Sequence, residues 1–174
     1  MEPRLGARRP SASATSLAAS IWRSGATPTQ SPGLARLFDM SHIRHSAWRW
    51  LTALVLVHLV VSIVHGAAHS EAHVPLSRAA NSFVFGVIVA GPLVGLALAW
   101  PAERIGSWVI AITMASALVF GCVNHFVLAG PDHVSQVAER WRPIFTTTAA
   151  LLAAIEGLAS ALAIRIARRR TIVS

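Results

Sequence analysis

Four histidines, His58, His65, His69 and His73, follow one another at spacings of seven, four and four residues. At about 100° per residue, that spacing keeps all four within roughly 80° of one another on a helix surface. Two imidazoles at i and i+4 can ligate one metal ion, and neutral imidazole suits Zn, Cu, Ni and Fe. His125, Asp132 and His133 offer further donors, so the candidate metal ligands are His65, His69, His73, His125, Asp132 and His133. One imidazole from each of two helices also makes the axial pair of a six-coordinate haem b. His65 and His125 are the candidates for that pair, with Gly66 and Gly121 leaving room for a ring. No cysteine or glutamate completes a known motif around H-x-x-x-H, and the structural alternative is a set of histidines hydrogen-bonded only to water, loop backbone and headgroups.

The chemistry implies a membrane setting. The chain is 54% hydrophobic and only 13% charged, with a mean hydropathy of +0.57, a balance soluble domains rarely reach. Apolar runs over about 47–68, 82–100, 105–129 and 144–164 each approach the ~20 residues that cross a bilayer's hydrocarbon core. The expected fold class is all-α: a four-helix transmembrane bundle, up-down-up-down, over 40–174. Counting ~1.5 Å per residue from the inner ends, His65 lies ~27 Å up the first span and His125 ~30 Å up the third, at one level. His58 and Glu156 lie deeper, at ~16 Å and ~13 Å, within reach of each other. Glu156 is the one acid inside any span. A carboxylate in hydrocarbon needs a partner, so a His58–Glu156 pair is expected, as a structural hydrogen bond, a proton relay or a cation site.

Small residues recur at intervals of four: Gly91, Gly95 and Ala99 beside Pro92, then Ala117 and Gly121 leading to His125, then Ala149, Ala153, Gly157 and Ala161. Such stripes let helices approach closely, and Pro92 predicts a kink. At an offset of sixty residues Trp48 matches Trp108, His65 matches His125 and His73-Val74 matches His133-Val134, the pattern a duplicated helical hairpin would leave.

The net charge of +8 comes from arginine alone, concentrated in the tails and at helix ends. That distribution speaks of topology and against nucleic-acid binding. Arg36, Arg44 and Arg49 flank the first span and Arg165, Arg168, Arg169 and Arg170 close the fourth, which predicts both termini in the cytoplasm of a bacterial inner membrane and His65, His69, His73, His125 and His133 on the outer side. Residues 1–39 are rich in Arg, Ser, Ala and Pro and are expected to be disordered. They match either an organellar transit segment, which would place the protein in the mitochondrial inner membrane, or sequence upstream of a true start at Met40. Cys122 is the sole cysteine, so no intrachain disulfide or CxxC chemistry is available. Hydrolase, nucleotide and zinc-protease motifs are absent, and no reaction is legible. Three functions remain: metal or haem binding for metal handling or electron transfer, docking of a larger membrane complex or a second copy, and proton-coupled transport of a small solute.

Overall fold

The computed structural model describes residues 32–169, with side chains from Ser46 onward. The chain divides into two units, Met1–Ser41 and His42–Ser174, and the histidine cluster lies in the second. Helix α1 covers Pro32–Glu71. It therefore starts inside the tail expected to be disordered; residues 1–31 lie outside the described residues. Proline suits a first helical turn, and Leu34, Ala35, Arg36 and Leu37 are good helix formers, with no glycine or proline between Gly33 and Gly66.

After α1 come α2 (Arg78–Phe83), a π-helical segment (Val84–Ala90) and α3 (Gly91–Ala99). Next are α4 (Glu103–Cys122), a π turn (Val123–Val127) and α5 (Arg142–Ala167). Among the described residues there is no strand. Four stretches are long and apolar enough to cross a membrane: Ser46–Glu71, Arg78–Ala99, Glu103–Val127 and Arg142–Ala167. The expected all-α, four-span architecture is present. His65, late in α1, meets both His125, just past the end of α4, and Thr148, early in α5, so α1 and α4 run one way and α5 returns. Exposed apolar side chains such as Leu56, Val60, Ile63, Ile112, Val119 and Leu158 give the bundle the outer surface that hydrocarbon requires.

The break expected at Pro92 takes the form of the π segment that ends at Ala90. Proline has no N–H to give the preceding turn, and a widened turn absorbs the mismatch. Beyond it, α3 packs on α4 at close range: a Cβ at Gly91 would strike Thr113, one at Gly95 would strike Ile110, and one at Gly106 would strike the backbone of Gly95 and Ala99. This stripe works as expected. The stripe on α5 does not, because Ala149 is buried whereas Ala161 is exposed. An interval of four drifts about 40° per step around a helix, so by Ala161 the stripe has turned off the contact face. The buried face instead carries Phe145, Thr148, Leu152, Glu156, Ala159 and Ala163. Ser160 ties α5 to α4 by donating to the Ala111 carbonyl at 3.1 Å. Towards the α1 start, Leu51, Val55, Ile110, Met114, Ala159 and Ala163 close into one apolar core.

Candidate metal centre

Helix α1 ends just beyond the candidate site, and its ending decides which histidines can share it. The Val74 N–H donates to the His69 carbonyl at 3.0 Å and the His73 N–H to the Ser70 carbonyl at 3.2 Å, the paired bonds of a Schellman cap. His73 sits at the left-handed position of that cap, with φ of 52°. The expected four-histidine ladder therefore stops at His69, because the chain leaves the helix after Glu71 and His73 turns outward, exposed. His133 also stands apart, bonded through Nδ1 to the Ser135 hydroxyl at 2.7 Å.

His65, His69 and His125 are buried, and one ring nitrogen of each lies within 4.8 Å of the others. His65 and His69 come from adjacent turns of α1. His125 comes from the π turn, where the Leu128 N–H reaches back to the Val123 carbonyl at 2.8 Å. An i−5 bond of this kind inserts a residue into the turn and re-aims the side chains on it. Phe145, fully buried on α5, packs its ring against all three imidazoles, with centroids 4.7, 4.7 and 5.2 Å away. The third loop folds over the cluster, pinned by Arg142 Nε donating to the Val137 carbonyl at 3.2 Å.

The outer partners of the rings assign their hydrogens. The Thr148 hydroxyl donates to the Ile144 carbonyl at 2.7 Å, so towards His65 it can only accept, and His65 Nδ1–H donates to it at 2.8 Å. The Asp132 carbonyl likewise accepts from His125 Nδ1–H at 3.1 Å. In each neutral ring Nε2 then carries a bare lone pair, and these two Nε2 atoms face each other at 3.2 Å. Two acceptors at that separation repel unless a cation, either a proton or a metal ion, lies between them. His69 presents Nε2 to Asp132 Oδ1 at 3.3 Å, and its Nδ1 is buried with no hydrogen-bond partner. Such an orphaned nitrogen calls for a ligand.

Asp132 does not stand among the metal-facing nitrogens, as the sequence pattern led one to expect. Its Oδ1 lies behind them, 3.4 Å from His125 Nδ1 and 3.3 Å from His69 Nε2, in contacts that lack hydrogen-bond alignment. Burial by itself favours the neutral acid. The His125 ring beside it, with the charges that His125, His69 and His65 carry when protonated, nonetheless holds its carboxyl below the usual carboxylate range. A carboxylate on the outer nitrogens of metal-binding imidazoles fixes ring orientation and raises ligand basicity. Thr148 and Phe145 were not singled out from the sequence. The available clue was depth: both lie in the first turns of the fourth span, opposite His65.

The deeper pair is present as expected. His58 Nε2 lies 3.0 Å from Glu156 Oε1, both residues buried, with Ser62 Oγ 3.5 Å from the same nitrogen. A cavity of about 500 Å³ is lined by His65, His69 and His125 and also by Ser62 and Glu156, so it touches both polar groups.

No family model, curated protein or solved structure matches the chain.

Proposed function

We propose that the protein is a small integral membrane protein that binds one transition-metal ion of the zinc or copper class through His65, His69 and His125, and that its role is metal handling. The observation that carries this reading is the pair of Nε2 lone pairs held 3.2 Å apart by donors committed elsewhere. Two nitrogens bound to one tetrahedral ion at ~2.0–2.1 Å stand about 3.3 Å apart, close to the observed separation. The widest spacing in the trio, 4.8 Å, is longer, so a bound ion draws the third imidazole inward. Thr148 and Asp132 supply the outer hydrogen bonds that metal-binding imidazoles require.

Haem b fits less well. Axial imidazoles on one iron need nitrogens roughly 4 Å apart, twice a metal–nitrogen bond, with a flat slot between the rings. His65 and His125 meet at 3.2 Å with their ring planes at 77°, which leaves no slot. Arg49 at the start of the first span, with Arg165, Arg168 and Arg169 at the end of the fourth, supports cytoplasmic termini and a metal centre at the outer side of a bacterial inner membrane.

The test is metal content and optical spectrum of detergent-purified protein. Zinc or copper near one per chain is expected in the native protein, lost in His65→Ala and in His125→Ala and kept in His42→Ala. Equal content in all four proteins, or a Soret band, refutes the reading.

A further inference from the structure

The cavity beside the metal centre runs into the bundle and opens sideways, where Gly66, Ala67 and Phe85 on its rim are exposed. At its upper end stand the three imidazoles, and at its lower end it meets Glu156 and Ser62. Beyond Glu156 the bundle is shut by Leu51, Val55, Ile110, Met114, Ala159 and Ala163, every one of them buried. The rest of the lining is mainly apolar, with Phe120 and Leu152 inside and Phe85 at the exposed rim. A space of about 500 Å³ is far more than one imidazole–carboxylate hydrogen bond needs.

Glu156 and Ser62 line the cavity, and His58, buried behind them, completes a donor set. His58 Nε2 and Glu156 Oε1 converge at 3.0 Å, with Ser62 Oγ 3.5 Å from the nitrogen. Their placement is costly: an ionisable pair sits at mid-span where an apolar pair would pack more cheaply. A purely structural hydrogen bond would not need a chamber leading to it. Imidazole, carboxylate and hydroxyl together suit a divalent transition metal, but two or three ligands of mixed type hold it more loosely than three imidazoles do.

We propose that His58, Glu156 and Ser62 form a second, weaker station for the same class of divalent metal ion, reached from the His65–His69–His125 centre through the cavity. The chain is then a half-open conduit that takes its cargo ion to mid-membrane and stops it above an apolar plug. This rests on the reading of the three histidines as a metal centre. It goes further by making the ion cargo that moves between two stations.

Equilibrium dialysis of the full chain in detergent against Zn²⁺ tests it. Native protein should show two classes of site, one tight and one weaker. Glu156→Gln, which keeps the shape and a hydrogen bond to His58, should weaken the second class by at least about tenfold and leave the first unchanged. His65→Ala should remove the tight class. Ala153→Phe, at a cavity wall position that is not one of the named donors, should abolish the second class by filling the passage, and it decides the matter if Glu156→Gln does not fold. A single class in native protein, or a second class that survives Ala153→Phe or a well-folded Glu156→Gln, overturns the second station and leaves the three-histidine centre standing. No zinc bound to native protein overturns both.

Discussion

Replacing Thr148 by valine exchanges one hydroxyl for a methyl group of nearly the same size, and it tests whether the metal centre is oriented from behind. In the native protein the hydroxyl donates to Ile144 and accepts from His65 Nδ1–H at 2.8 Å, which keeps the Nε2 lone pair turned towards His125. Without that acceptor, either Nδ1–H stays buried and unpaired, at about 1–3 kcal/mol, or the ring moves its hydrogen to Nε2 and loses the lone pair facing the metal. Loss of an outer hydrogen bond of this kind lowers metal affinity roughly 10–100-fold. At about 1.4 kcal/mol per factor of ten, that is ~1.4–2.7 kcal/mol, which agrees with the cost of the unpaired donor. Titration of Zn²⁺ against a chromogenic chelator in detergent measures it directly. Thr148→Ser should bind as the native protein does, because it keeps the oxygen. Native affinity in Thr148→Val, or equal losses in the serine and valine variants, would refute orientation by the hydroxyl.

Three further outcomes follow from the same geometry. His73→Gly should raise the melting temperature, because glycine removes a left-handed strain of about 1 kcal/mol at the α1 cap, and it should leave zinc affinity unchanged since His73 faces away from the centre. Gly106→Ala should destabilise the bundle by about 1–3 kcal/mol, seen in a thermal melt, because its Cβ would run into the α3 backbone. Asp132 is more acidic folded than unfolded, so its contribution to stability is present above the ordinary carboxylate value of 3.8 and is lost as pH falls through the lower folded value. Melts over an acid series should show that loss in the native protein and not in Asp132→Asn.

Periodicity and depth carried the fold: four apolar runs of bilayer length could form little else, and rise per residue placed His65 level with His125 and His58 level with Glu156. What stayed hidden is local backbone geometry. A spacing of four from His69 to His73 reads as one helix face, yet the chain leaves the helix through a left-handed residue at His73 that no glycine marks. The π turn that aims His125 leaves no periodic trace in V-N-H-F-V. Asp132 looked like a ligand by residue type, whereas the fold of the third loop puts its carbonyl and carboxylate behind the rings. Thr148 sits in a run of three threonines, and only the packing of α5 on α1 selects the one that meets His65.

X-ray absorption at the metal edge of zinc- or copper-loaded protein reads the central claim most directly, because imidazole rings give characteristic multiple-scattering features. Three nitrogen donors at ~2.0–2.1 Å with imidazole scattering are expected, falling to two or to none in His65→Ala and His125→Ala. A first shell of oxygen or water alone, or a native spectrum retained in both variants, would contradict an ion held between His65 and His125.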